Sequence, residues 1–273
     1  MDLNTVTEIA RPQTRAQLPA WSAGDAWLGG GTWLFSEPQT HLRRLIDLTE
    51  LKWPALTLGE TGLSIAATCT VAELDAFPCP PEWIAFPLID QCCRAFLASF
   101  KVWNSATVGG NLCLSLPAGP MIALTAALDG ICTIWTPGGG ERKVGVADFV
   151  TGDRVNVLQG GELLRQIDIP LAALTGRAAF RQISLSPLGR SAALLIGRLT
   201  ADGAFKLTVT ASTVRPMQLS FDAVPQADEL RDAILRIPDG VYHDDVHGKP
   251  AWRKHMTLRL AEEIRAELRG ARR

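Results

Sequence analysis

The sequence predicts an α+β protein made of three successive blocks that each contain strands and helices. The chain of 273 residues is long enough for two or three domains. Its 47% hydrophobic and 20% charged residues are typical of a folded globular protein. Strand and helix patterns are separated by glycine and proline turns along the chain. We therefore place the blocks at residues 1–53, 54–172 and 175–273.

The first block is predicted to be a small α/β unit. Trp27-Leu28 reads as a short strand that runs into the glycine turn Gly29–Thr32. The apolar run Leu45–Leu48 predicts a second strand.

The second block contains the clearest local signal in the chain. Thr70 followed by Glu73 three residues later predicts a helix that starts with a capping box. A strand is expected just before it, at Leu63–Ala67. The other elements expected in this block are helices at 86–100 and 120–128 and strands at 131–135 and 163–169.

The third block is predicted to combine three strands with two helices. The strands are expected at 178–184, 192–199 and 204–211. Because Ala201–Gly203 forms a turn signal between the last two, these should pair as a hairpin. The helices are expected at 228–237 and 251–269, the second with apolar residues at i, i+4 spacing.

Two glycine-rich segments, Leu28–Leu34 and Ala106–Asn111, are the candidate binding residues. Without a Cβ, glycine lets backbone N–H groups approach a ligand, and successive N–H groups can form a concave site for phosphate oxygens. Thr32, Thr107 and Asn111 add polar side chains. Two such turns could hold the two halves of a pyrophosphate.

The alternative is that each segment is only a tight turn. The first segment lacks the dinucleotide fingerprint of the Rossmann type, because Leu34 occupies the third glycine position. Neither segment ends in the Gly-Lys-Ser/Thr of a P-loop. The residues themselves thus indicate phosphate-binding loops or simple turns, and leave both open.

Charge and composition argue against several other functions. The net charge of −1 predicts no general attraction to nucleic acid or anionic membranes, and the basic stretch 249–273 reads as a solvated helix face and tail. No run of about 18 apolar residues predicts a membrane span. Asp2 and Glu8 stand where a signal peptide would be basic or apolar, which favours the cytoplasm.

Metal sites and nucleophilic catalysis are also not favoured. None of the six cysteines has C-x-x-C spacing, so the chain is expected to bring no metal cluster and to bury most thiols. The polar stretch His243–His247 could bind a metal, but an exposed loop is the favoured interpretation. The Gly-x-Ser-x-Gly pattern of a nucleophile elbow does not occur.

The order of the motifs resembles the FAD-binding medium subunit of molybdenum hydroxylases, in the xanthine dehydrogenase and carbon monoxide dehydrogenase flavoprotein family. The resemblance extends from about Pro12 to Leu268. It is carried by Gly30-Gly31-Thr32, Leu45–Leu48, Ala66–Leu74, Ala106–Leu112, Gly161–Pro170, Phe180-Arg181-Gln182 and the helix start at Trp252–His255.

This resemblance implies a fold and a function. The fold would be the two-subdomain FAD-binding fold of the vanillyl-alcohol-oxidase type, followed by a C-terminal three-stranded antiparallel sheet with helices. The chain would be an oxidoreductase subunit that takes electrons from two-iron two-sulfur clusters on a small partner and passes them to an external acceptor. A large partner would carry the molybdopterin, and the whole would be a hetero-oligomer such as a dimer of heterotrimers.

The resemblance also implies the residues that bind FAD, while it implies no catalytic acid, base or metal ligand in this chain. Two groups would surround the pyrophosphate: Gly29, Gly30, Gly31, Thr32, Trp33 and Leu34, and Thr107, Val108, Gly109, Gly110 and Asn111. Leu163 and Leu164 would lie near the adenine, and Arg181 near the flavin ring.

Three positions depart from the family pattern. Pro120 and Trp33 stand where an Asp is often found, and Trp103 stands where an Arg is common. These departures keep two alternatives open: a stand-alone flavin oxidoreductase of the same fold, and a structural subunit whose flavin site has decayed.

Overall fold

The computed structural model describes residues 3–78 and 80–270. Its first sheet lies at the N-terminus and is parallel, with the strand order β1-β3-β2. Its strands are β1 (Glu8–Ala10), β2 (Asp25–Leu28) and β3 (Arg44–Asp47). Both strands predicted in the first block are therefore confirmed, and β2 leads directly into the first glycine segment.

The second sheet has five antiparallel strands in the order β4-β5-β10-β6-β7. Its strands are β4 (Leu56–Gly59), β5 (Gly62–Ala66), β6 (Ile131–Trp135), β7 (Glu141–Gly145) and β10 (Leu163–Pro170). A separate ribbon pairs β8 (Val150–Gly152) with β9 (Val155–Asn156). The helices of this region are α1 (Val71–Asp75), α2 (Pro87–Ala95), α3 (Phe100–Trp103), α4 (Val108–Leu114), α5 (Pro120–Ala127), α6 (Val146–Phe149) and α7 (Leu171–Leu174).

The predicted capping box at Thr70 is confirmed. The Thr70 Oγ1 accepts a hydrogen bond from the Glu73 N–H at 3.1 Å, and the Glu73 carboxylate accepts one from the Thr70 N–H at 2.8 Å. Both N–H groups would otherwise be unpaired at the first turn of α1.

The helix predicted at 86–100 is shorter than expected. It ends at Ala95, because Phe96 adopts ψ 81° and leaves the helical region. The Phe96 N–H donates to the carbonyls of Cys92 and Cys93, which closes the last turn. The separate helix α3 then begins at Phe100.

The third sheet has four antiparallel strands rather than the predicted three. These are β11 (Arg177–Ile183), β12 (Ala193–Leu199), β13 (Phe205–Thr210) and β14 (Met217–Phe221), followed by α8 (Ala227–Leu235) and α9 (Pro250–Gly270). The predicted β12–β13 hairpin and both helices are confirmed. The strand β14 is an edge strand that pairs with β13 alone and is mostly half-buried, so its apolar signal is weak.

The helix α5 lies at the centre of the molecule. All eight of its residues are buried, and it packs against α2, α4, β12 and β13. A helix that is apolar on every side requires burial on every side. This packing joins the second sheet's helices to the third sheet; the block boundaries at 53, 172 and 175 remain predictions.

Most described cysteines are buried. Cys69, Cys92, Cys93 and Cys132 are fully buried, and burial raises the pKa of Cys69 and Cys93 to about 12. Cys79 lies outside the described residues.

No helix formed by the described residues has both the length and the apolar character needed to cross a bilayer.

Candidate cofactor-binding cleft

The two glycine segments line one cleft of about 450 Å³. The first segment contributes all six residues from Gly29 to Leu34, and the second contributes Ala106, Thr107, Gly110 and Asn111. The remaining wall is mainly apolar and includes Trp27, Phe96, Val102, Cys113, Leu114 and Leu116, together with Arg190. The tertiary structure thus brings together segments that are more than 70 residues apart in the chain.

The first segment presents a row of unused backbone donors. It leaves β2 and turns at residues 32–36, where the Phe35 N–H donates to the Gly31 carbonyl. Among the described residues, none accepts a hydrogen bond from any of the six backbone N–H groups from Gly29 to Leu34. Gly31 has φ +71°, a conformation that favours glycine.

Gly30 lies directly against the second segment. A Cβ at this position would lie 1.4 Å from the Ser105 carbonyl oxygen, and a Cβ at Gly29 would lie 3.1 Å from the Thr107 Oγ1. The contact leaves no room for a side chain at Gly30, so only glycine at this position lets the two sides of the cleft pack this closely.

The second segment is the start of a helix, whereas the sequence predicted a phosphate-binding loop or a simple turn. Thr107 is the N-cap of α4, and its Oγ1 accepts a hydrogen bond from the Gly110 N–H at 3.0 Å. The Val108 and Gly109 N–H groups donate to the carbonyls of Cys69 and Ala67. These three N–H groups are therefore already used, in contrast to those of the first segment.

Gly109 serves packing. A Cβ there would lie 2.5 Å from the Ala67 Cβ and 2.6 Å from the Ala67 Cα, so only glycine lets α4 pack this closely on the end of β5. Val108 is fully buried. Neither Val108 nor Gly109 belongs to the residues that line the cleft.

Asn111 links α4 to α5. Its Oδ1 accepts a hydrogen bond from the Met121 N–H at 3.2 Å, at the first turn of α5. The N-cap of that helix is Gly119, which has no side chain to do so, and Pro120 follows at the first helical position. Pro120 fits there because its missing N–H needs no acceptor at this position.

The two leucines predicted near the adenine are buried. Leu164 belongs to the main core. Leu163 forms a small apolar cluster with Leu48 and Leu51, against which Trp27 packs. Because Trp27 also lines the cleft, Leu163 supports that end of the cleft from behind.

Arg181 does not line the cleft. It lies on β11, and its guanidinium forms ion pairs with Glu263 at 3.1 Å and Glu267 at 2.7 Å on α9.

The two tryptophans that depart from the family pattern differ in position. Trp33 lines the cleft, whereas Trp103 donates its indole N–H to the Phe96 carbonyl at 3.0 Å.

A second, polar pocket of about 430 Å³ adjoins the cleft and shares Trp33, Leu116 and Arg190 with it. Its wall includes the stretch His243–His247, which the sequence marked as polar. Asp245 in this stretch forms an ion pair with Arg253, whose side chain is 1% exposed. Sequence reasoning missed Arg190, because no local motif connects it to either glycine segment.

The Asp245 carboxylate interacts with two side chains, Arg253 and His243. The Arg253 guanidinium donates to the carbonyls of Gly248, Ala192 and Ala211, and to the Asp245 carboxylate. The Nε2 of His243 lies 3.3 Å from the other carboxylate oxygen. Burial raises the pKa of Asp245. The hydrogen bond from the His247 N–H and the positive charge of Arg253 outweigh this effect, so the pKa of Asp245 is lowered overall.

Solved structures share this architecture over nearly their whole length. Reconstituted carbon monoxide dehydrogenase from Oligotropha carboxidovorans aligns with a TM-score of 0.81 at 20% identity, and the alignment covers 97% of this chain and 99% of that chain. Quinoline 2-oxidoreductase from Pseudomonas putida 86 aligns with a TM-score of 0.78 at 19% identity, and covers 98% of each chain. These likenesses confirm the predicted fold class.

Sequence similarity supports a narrower grouping. The chain is 32% identical over 98 residues to caffeine dehydrogenase subunit beta from Pseudomonas sp. strain CBB1. This match covers 36% of the chain and 33%, about a third, of that relative. The family described as "FAD binding domain in molybdopterin dehydrogenase" matches residues 6–172, which is more than half of the chain. The chain therefore belongs to the FAD-binding family of molybdopterin dehydrogenases.

Proposed function

We propose that this chain is the FAD-binding, electron-transferring subunit of a molybdenum-containing hydroxylase or dehydrogenase. The observation that carries the proposal is that the six residues from Gly29 to Leu34 line the cleft and that none of their backbone N–H groups has an acceptor among the described residues. Successive N–H groups of this kind form a site for phosphate oxygens. Family membership identifies FAD as the ligand with such oxygens.

The cleft fits the chemistry of a flavin dinucleotide. The first glycine segment offers hydrogen-bond donors to a pyrophosphate, and most of the remaining wall is apolar, as the rings of such a cofactor require. Gly30 supports the fit, because any side chain at this position would collide with the Ser105 carbonyl oxygen and displace the loop. When bound, the flavin supplies the redox chemistry, and the chain binds and orients it.

The residues have separate roles in this proposal. Gly29–Leu34 bind the pyrophosphate through their N–H groups, and Thr107 and Asn111 contribute polar atoms from the adjacent second segment. Val108 and Gly109 act indirectly, because they hold α4 against β5. Trp27, supported by Leu163, forms the apolar end that would receive the adenine. Leu164 and Arg181 lie outside the lining, and we give them no role.

The proposal extends to partners. A large subunit with the molybdopterin and a small subunit with two-iron two-sulfur clusters would supply electrons, which this chain would pass to an external acceptor. The name of the relative, caffeine dehydrogenase subunit beta, supports an assembly of several subunits. We propose a hetero-oligomer such as a dimer of heterotrimers.

The first test is the visible absorbance of the purified chain, followed by chromatography of whatever heat releases. We expect a flavin spectrum and released FAD. A colourless protein that also fails to take up added FAD would show that the cofactor assignment is wrong.

Isolation of the tagged chain from its native cells, with assays for flavin, molybdenum and iron, separates the proposal from its alternatives. We expect flavin, molybdenum and iron to be present together. FAD without molybdenum or iron would point to a stand-alone flavin oxidoreductase, and molybdenum and iron without FAD would point to a structural subunit.

A further inference from the structure

Arg190 is the one charged side chain among the described residues that line the cleft. It lies between β11 and β12, in the C-terminal block, and it is exposed. Every other residue of the lining is glycine, apolar or neutral polar. The third sheet therefore places a positive charge beside a loop that belongs to the first sheet.

The Arg190 guanidinium has no carboxylate within 4.0 Å among the described residues. Acidic side chains do line the adjoining polar pocket, but two of them are paired elsewhere. Asp244 pairs with Lys249 at 2.9 Å, and Asp245 pairs with the buried Arg253. Within residues 3–78 and 80–270, no carboxylate forms an ion pair with Arg190, whereas Arg181 forms ion pairs with Glu263 and Glu267.

A dianionic pyrophosphate is bound more tightly when a full positive charge lies beside the partial charges of the amide groups. The Gly29–Leu34 N–H groups donate hydrogen bonds but carry no net charge. An arginine supplies a full charge and a planar pair of donors that matches two phosphate oxygens. We infer that Arg190 pairs with the FAD pyrophosphate, so that the cofactor is held from both the first and the third sheet. This inference rests on the proposed function.

Titration of FAD into the full-length, flavin-depleted chain, followed by flavin fluorescence, tests the inference. Arg190→Gln is expected to raise the Kd of FAD about tenfold and to flatten its dependence on salt. Arg190→Lys keeps the positive charge but not the paired donors. Its Kd for FAD should therefore lie between those of the wild type and Arg190→Gln. The matched control is Arg215→Gln, which removes an exposed charge from the same block outside the cleft and should leave the Kd unchanged.

Riboflavin, which lacks phosphates, identifies the part of the cofactor that Arg190 contacts. Its Kd should be the same for the wild type and Arg190→Gln. If Arg190→Gln weakened the binding of riboflavin and FAD equally, Arg190 would contact the flavin ring or stabilise the fold instead of the pyrophosphate. If the Kd of FAD were unchanged, Arg190 would not bind the cofactor. Either result overturns the inference but not the proposed function. A wild-type chain that binds no FAD would overturn both.

Discussion

The carbonyl oxygen of Ser105 occupies the space that a side chain at Gly30 would need, 1.4 Å from the position of an ideal Cβ. This contact joins the loop after β2 to the segment before α4. The cleft between the two glycine segments therefore depends on a glycine at position 30.

Gly30→Ala should displace the loop and weaken FAD binding strongly. Because the clash is with backbone, we also expect a loss of about 1–3 kcal/mol in the free energy of unfolding. Urea unfolding and FAD titration measure the two effects. Gly240→Ala is the control, since a Cβ there has nothing within 4 Å, and it should change neither quantity. Unaltered FAD affinity in Gly30→Ala would show that the loop does not bind the cofactor.

Asn111 has a structural and a binding role that two substitutions separate. Asn111→Ala removes the acceptor for the Met121 N–H and should lower the free energy of unfolding by about 1 kcal/mol. Asn111→Asp keeps this acceptor and the stability, but adds a negative charge to the cleft. It should raise the Kd of FAD at least about fivefold. If Asn111→Asp bound FAD as well as the wild type, the pyrophosphate would have to lie elsewhere.

Asp129 ties α5 to the third sheet. It follows α5 and forms ion pairs with Arg198 of β12 and Lys206 of β13. Asp129→Asn should lower the free energy of unfolding by about 3 kcal/mol, because Arg198, whose side chain is 4% exposed, loses its carboxylate. Asn also tolerates the positive φ of this position.

The control for Asp129 is Asp90→Asn, which breaks an exposed ion pair with Arg94 and should cost no more than about 0.5 kcal/mol. Chemical unfolding of both variants gives the comparison. Equal losses would mean that the Asp129 pairs are no stronger than a surface pair.

Glu162 should make stability depend on pH. Its carboxylate accepts hydrogen bonds from Arg142 at 2.8 and 2.6 Å, which lower the pKa of Glu162 below its usual value. A carboxyl with a lowered pKa in the folded state stabilises the fold above its unfolded pKa of about 4.3, and this contribution is lost as the pH falls through the folded pKa.

We expect Glu162→Gln to lower the free energy of unfolding by about 1–2 kcal/mol at neutral pH. The difference from the wild type should shrink as the pH falls below about 4. Unfolding curves across this range measure it, with Glu141→Gln, at an exposed carboxylate, as the control. A difference that stayed constant with pH would contradict the role of the charge.

The sequence by itself determined the local elements and the family. Thr70 and Glu73 predicted a capping box because its hydrogen bonds form within three residues. The apolar periodicity predicted the main strands and helices, but it missed short or half-buried elements such as Met217–Phe221, overestimated the length of the helix at 86–100, and gave no sign of the helix that starts after Thr107. The order of the glycine motifs was enough to indicate an FAD-binding subunit.

Only the tertiary structure decided which backbone groups are free to bind a ligand. Both glycine segments looked equivalent in the sequence, yet the Val108 and Gly109 N–H groups already donate to carbonyls of another segment, while those of Gly29–Leu34 do not. Arg190 likewise reaches the cleft only through the packing of the third sheet on α5. The physical reason is that periodicity records which face of an element is buried, whereas hydrogen-bond partners depend on the distant segment that packs there.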